Sequence, residues 1–236
     1  MDDRVDTGLL FVMLDREVQT SLDEWDGRLR ALPGAAEVTW WDHPSGASRG
    51  EEVAALDDFG TLAIVEFKGP VDPSIVPAGA KNHILFRRYP RPSQGRLRPP
   101  TLSFMIAMVS PHDLNDAKAA QALRNWADFY HIPNIIDAYI PGYAIVTPYE
   151  NVAQDQRPRF LHLYEYSEND GAAVFARSRP LMVQRFGGGA GNPGYDYWTA
   201  QPTFRVDYVT VFNRIVRPND PSLRAFPPLM LDRPAM

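Results

Sequence analysis

The chain has 236 residues, 44% of them hydrophobic and 22% charged, which is enough for a packed core and unlike a disordered chain. The net charge is −5 and no Lys/Arg cluster offsets it locally, so nucleic acid and anionic membrane, which both need a basic face, are not expected partners. The absence of cysteine rules out disulfides, thiolate metal ligands and a cysteine nucleophile. The opening MDDRVDTG is acidic where a signal peptide is basic, and no apolar run approaches the roughly 18 residues of a membrane span. A soluble, cytoplasmic protein is expected.

In chain order, the apolar run LLFVMLD (9–15) reads as a strand and is followed by a helical pattern holding Leu22 and Trp25. Pro33-Gly34 ends that helix and opens the strand AAEVTWW (35–41). Two further strands, TLAIVEF (61–67) and HILFRRY (83–89), complete the first half. The GPVDPSIVPAGA between them is too rich in Pro and Gly for a good helix. PRPSQGRLRPP (90–100) reads as a linker.

The same series then recurs. LSFMIAMVS (102–110) precedes a helix with Leu123 and Trp126, Pro141-Gly142 opens YAIVTPY, and FLHLYEY (160–166) repeats TLAIVEF with Glu165 in the place of Glu66. A helix over 169–186 and the strand FRVDYVTVF (204–212) close the second half. Each half has the β-α-β-β-(α)-β order of a ferredoxin-like unit. Four-stranded sheets with helices on one face leave the other face bare. The expected fold is therefore α+β, with tandem ferredoxin-like repeats whose antiparallel sheets pack face to face as an α+β barrel. The expected domains are 1–92, a degenerate half; 101–216, the half with the site; and 217–236, a proline-rich tail.

From tryptophan to Pro-Gly is eight residues in the first half and fifteen in the second, the surplus being the HIPNIID region. Surplus chain on a scaffold that folds without it is a place to look for function. Pro133 disfavours the α conformation at Ile132, so a helix break near His131 is expected. An imidazole at a helix C-terminus would have a raised pKa and serve as acid or base; it would also serve simply as a cap. Asp128, one turn earlier, is a candidate to orient it. Trp126 and Tyr130 share that aromatic helix as candidate substrate contacts.

At this point NWADFYHIPNIIDAYIPGYAIVTPYE, with FLHLYEYSENDGAAVF after it, resembles the EthD-like branch of the dimeric α+β barrel superfamily. Trp126, His131, Ile132, Pro133, Pro141, Gly142, Tyr149, Tyr164 and Glu165 carry the likeness, which spans about residues 101–212. The resemblance implies a pocket for a small molecule. The superfamily includes cofactor-free cyclases, dehydratases, isomerases and monooxygenases, and also haem-binding enzymes. The first half lacks His-Ile-Pro, so one pocket per chain is implied.

Alternation along 160–166 puts Leu161 and Leu163 on one face and His162, Tyr164 and Tyr166 on the other, and the first copy has Ala63, Val65 and Phe67 at the positions matching the latter three. The polar face is expected to look into the barrel, with its groups satisfied by a ligand. FGGGAGNPGYDYW (186–198) contains G-x-G-x-x-G at Gly189, Gly191 and Gly194, but no strand feeds it and Pro193 interrupts it, so a dinucleotide site is not expected. It reads instead as a mobile loop that folds Tyr195, Tyr197 and Trp198 over a ligand, with Arg185 placed to meet a carboxylate or phenolate. The five histidines show no metal-ligand spacing, and there is no G-x-S-x-G.

These observations combine into an expected enzyme, a lyase/dehydratase, cyclase or isomerase acting by proton transfer without an organic cofactor. Its substrate would be a hydrophobic, aromatic or polyketide-like small molecule, with a homodimer as the further assembly to consider. His131 would be the acid/base, and His162 or Tyr164 would polarise an oxygen. The alternatives are a haem enzyme and a non-catalytic small-molecule carrier.

Overall fold

The computed structural model describes residues 7–14, 22–43, 59–69, 71–75, 77, 79–80, 82–95, 101–199 and 204–217. The first half contributes β1 (Gly8–Leu14), α1 (Leu22–Arg30), β2 (Ala35–Asp42), β3 (Thr61–Phe67) and β4 (Asn82–Arg88). A two-residue strand, β5 (Gln94–Gly95), follows. The second half contributes β6 (Ser103–Pro111), α2 (Ala117–Trp126), α3 (Ile132–Asp137), β7 (Tyr143–Asn151), β8 (Phe160–Tyr166), α4 (Gly171–Phe186), α5 (Pro193–Thr199) and β9 (Phe204–Arg214). Proline and glycine keep the described part of 69–80 free of helix, as their propensities require.

Each half forms an antiparallel sheet in the order fourth, first, third, second strand, so β4-β1-β3-β2 is repeated as β9-β6-β8-β7. The halves do more than face each other. β2 pairs with β9 through Trp41 and Asp42, and β4 pairs with β7 from Phe86 to Arg88, so the eight long strands close into one ring. Among the described residues closure leaves no long edge strand unpaired, which removes the liability of open edges.

The ring is filled. Phe11 and Phe86 meet edge to face at 5.3 Å, Trp41 meets Phe104 at 4.5 Å, and Phe104 meets Phe212 at 5.1 Å. Leu161 and Leu163 join this interior cluster. His162, Tyr164 and Tyr166 point the other way, toward the helices, where Tyr164 and Tyr166 pack with Trp126, Ile135 and Trp198. The expected facing of β8 is thus reversed. Both its faces are buried, so alternation sorts the side chains correctly but cannot say which set lies inside.

The linker is also more than a spacer. Ser93 Oγ lies 2.9 Å from Thr147 Oγ1, and β5 extends the sheet beside β7 at Ile145 and Val146. Gly95 has φ +136°, and a Cβ there would come 2.4 Å from the Ala144 carbonyl oxygen and 2.8 Å from Ile145 Cα. Gly95→Ala should therefore detach this strand and lower stability by about 1–3 kcal/mol. Denaturant unfolding will measure the loss, and an unchanged midpoint would mean that β5 contributes nothing. The chain from 218, where most of the proline-rich tail falls, lies outside the described residues.

Candidate active site

Helix α2 starts on Asp116, whose Oδ1 accepts from the backbone N–H groups of Lys118 and Ala119 at 2.9 Å. Its buried stripe carries Leu123, Arg124 and Trp126. The helix does not break at His131. Residues 127–131 form one π-helical turn, closed by the Ile132 N–H on the Ala127 carbonyl, and α3 continues directly with Pro133 in its first turn. Ile132 keeps α geometry at φ −65°, ψ −46°. The carbonyl of Asp128, five residues before Pro133, has no N–H to receive at that position, and Gln94 Nε2 donates to it at 2.8 Å. Part of the surplus chain is therefore a π-bulge, a common device for re-aiming a side chain at a site.

The bulge delivers His131 to helix α5. His131 Nδ1–H donates to the Trp198 carbonyl at 2.8 Å, and Trp198 Nε1–H returns a bond to the His131 carbonyl at 3.2 Å. Trp126 Nε1–H donates to the Tyr197 carbonyl at 2.8 Å and Tyr130 O–H to the Gly194 carbonyl at 3.2 Å. The imidazole lies parallel to the Trp198 ring at 5.2 Å and tilted against Trp126 at 4.5 Å. The glycine segment is thus a docked helix, not a free loop. Gly187, at φ +69°, ends α4, and α5 buries Tyr195 and Trp198 while leaving Tyr197 half exposed.

Under this cover lies a cavity of about 190 Å³ between the outer face of the sheet and the helices. Its walls are mostly apolar (Met105, Val109, Ile135, Phe204 and Val206 among them), and His131, His162 and Tyr164 supply polar groups. Burial pushes the His131 pKa down to about 4, although the bond to Trp198 opposes the shift. The expected rise from a helix dipole does not occur, because the bulge carries the helix on past this residue. Burial, Arg124 and His131 hold His162 well below the usual imidazole range, and burial raises the Tyr164 hydroxyl.

Both histidines are therefore neutral, and their tautomers follow from their partners. A carbonyl can only accept, so His131 carries its proton on Nδ1 and leaves the Nε2 lone pair free. A guanidinium can only donate. Arg124 Nη1 lies 2.5 Å from His162 Nε2, so His162 also carries its proton on Nδ1 and has that donor to offer.

Of the residues singled out in the sequence, the cavity brings together His131, His162, Tyr164, Trp126 and Trp198. Asp128 does not orient His131; it is buried and ion-paired with Arg124. Tyr166 donates to the Tyr143 hydroxyl at 3.1 Å behind the cavity wall. Tyr130 and Tyr195 support α5, and Arg185 bonds Asn134 at 2.8 Å and pairs with Asp137 on the surface. Arg124 escaped the sequence reading. Its signal was a charged pair, Arg124 and Asp128, spaced i,i+4 within the apolar stripe of Ala120, Leu123 and Ala127. A second cavity of about 280 Å³ at Tyr139 to Ala144 shares Ile135 and Tyr143 with the first.

Ring closure of two ferredoxin-like sheets with helices outside defines an α+β barrel. No protein-family model matches the chain, and no curated protein matches its sequence. Among solved structures, a mutant chlorite dismutase from Candidatus Nitrospira defluvii is similar with a TM-score of 0.52 at 9% identity, covering 94% of this chain and 96% of that one. An anthrone oxidase-like protein is similar with a TM-score of 0.51 at 8% identity, covering 92% and 94%. At such identities the likeness is one of fold. Among the described residues no helix is long and apolar enough to cross a membrane, and no group of three or more His, Asp or Glu could hold a metal ion.

Proposed function

We propose that this chain is an enzyme of the EthD-like kind that moves a proton on a hydrophobic, aromatic small molecule, as a dehydratase, cyclase or isomerase. One observation carries the reading. Two neutral imidazoles of fixed and opposite character line one apolar cavity, His131 with a lone pair and His162 with an N–H. His131 Nε2 takes a proton from the substrate, and the electron pair moves onto a substrate oxygen. That oxygen accepts from His162 Nδ1–H and, within reach of the same cavity, Tyr164 O–H. His131 then returns the proton, to another carbon in an isomerisation or to departing hydroxide in a dehydration. No oxidant enters this balance. A cavity near 190 Å³ suits one substituted aromatic ring, given that benzene enters an engineered cavity of about 150 Å³ in another protein.

Haem is the cofactor to weigh against this. Were haem bound, His131 would hold its iron through Nε2, since Nδ1–H is held by the Trp198 carbonyl. Pockets for drug-sized ligands measure roughly 300–1,000 Å³, and the smaller cavity of about 190 Å³ beside His131 supports the reading without haem. No step is routed through it, and the purified protein mixed with haemin should show no Soret shift.

A thermal-shift screen with phenols and small polyketide-type rings should find binders. With such a ligand, His131→Gln should keep affinity within a few-fold and lower turnover at least about 100-fold. Undiminished turnover would sink the assignment. In the wild type, loss of kcat/KM in acid should centre near pH 4, the His131 value, rather than at the ordinary value of a histidine.

A further inference from the structure

Arg124 is one of the largest fully buried side chains in the molecule, and the proton transfer just described does not require a charge there. Its guanidinium lies 4.4 Å from the Tyr89 ring and 5.2 Å from that of Phe160. Nη2 is paired with Asp128 and Nη1 with His162. Asp128 is shared, since Arg91 Nε stands 3.9 Å from its Oδ2, and that oxygen has no hydrogen bond among the described residues. Two cations thus face one carboxylate. The titratable groups that line the cavity beside this point are neutral: His162 and Tyr164 on β8, His131 on the π turn, and Tyr143 on β7, whose hydroxyl burial pushes up to about 12. Arg159, which also lies over the Phe160 ring at 5.4 Å, is paired with Glu150 at 3.7 Å. Tyr89, after β4, adds a phenol ring.

We infer that Arg124 makes the cavity an anion site: the ligand is bound as a phenolate or enolate, its oxygen on His162 Nδ1–H. This deepens the proposed function and rests on its reading of the cavity. Arg124 is a positioning residue. It fixes the imidazole tautomer, and the group of Arg124, Arg91 and one shared carboxylate turns a net positive charge toward the ring. A unit charge at roughly 7–8 Å, through an effective dielectric near 20, changes an equilibrium about tenfold or more. Lysine would keep the charge but loses the planar fork that serves Asp128 and His162 together.

The test is to titrate 4-nitrophenol bound to the full-length protein by its phenolate absorbance. The bound probe should ionise at lower pH than in water. Asp128→Asn, which unmasks Arg124, should lower the midpoint by about one further pKa unit, and Arg124→Met should raise it by at least one. A purely structural network would move both variants the same way, through weakened binding. Imidazole 15N shifts of the wild type, which need no variant, should place the His162 proton on Nδ1. A proton on Nε2, a probe that stays protonated or unbound, or parallel shifts in the two variants would overturn the inference. The His131→Gln assay reads proton transfer separately, so the enzyme reading can survive this failure with a neutral substrate.

Discussion

Arg124→Met should destabilise the protein by about 3–5 kcal/mol, the range for removing one partner of a buried ion pair. The loss comes less from the attraction forfeited than from the carboxylate left behind. Asp128 is buried, and Arg91 at 3.9 Å is its remaining cation. Removing both charges, as in Arg124→Met with Asp128→Leu, should restore most of the stability, because the desolvation penalty disappears with the pair. The pH dependence gives an independent check. Burial already pushes the Asp128 carboxyl up against the pull of Arg124. Without Arg124 its folded pKa rises further above the unfolded value near 3.8. The folded state then binds the extra proton, so the deficit grows as pH rises through that window and shrinks in acid. Denaturant midpoints at several pH values, variant against wild type, will show it. A single variant as stable as the wild type would mean that the pair is not buried as described.

The wild type itself should lose about 2–3 kcal/mol between pH 6.5 and about 4 on account of His131. In the unfolded chain this imidazole titrates near 6.5; in the fold burial holds it to about 4. Across that interval the unfolded state takes up a proton that the folded state refuses, so stability falls as pH falls and levels off below about 4. The full shift would amount to slightly more, and partial exposure at the cavity trims it. His162 acts with the same sign. His131→Gln, which can still donate to the Trp198 carbonyl, should remove this part of the slope while leaving that of His162. An unchanged slope would mean that the His131 imidazole takes up its proton equally in the folded and unfolded states.

Much of the scaffold is legible in the sequence because it is repeated. The eight long strands can be located by their apolar runs and by the matched tryptophans and Pro-Gly turns, and the face-to-face barrel follows from two half-covered sheets. Ring closure is not legible. It depends on a few residue pairs at strand ends, Trp41 with Arg214 and Phe86 with Asn151, which carry no local pattern. The site is harder still. Pro133 reads as a helix breaker, yet a π turn absorbs its missing N–H and lets the helix proceed. Glycines at 187–191 read as mobility, yet they turn the chain so that Trp198 can grip His131. The His/Tyr face of β8 is right as a set and wrong in direction, and so the pocket lies outside the barrel.

The chain holds both halves of its ring, but they are not equivalent. Where the second half has His162, Tyr164 and Tyr166, the first has Ala63, Val65 and Phe67 packed tightly with Trp25 and Leu29. A saturation curve for the 190 Å³ chamber should accordingly be hyperbolic, with one ligand per polypeptide. Among the described residues the matching face of the first half is packed with apolar side chains instead of being hollowed into a twin chamber whose occupancy could tune the first.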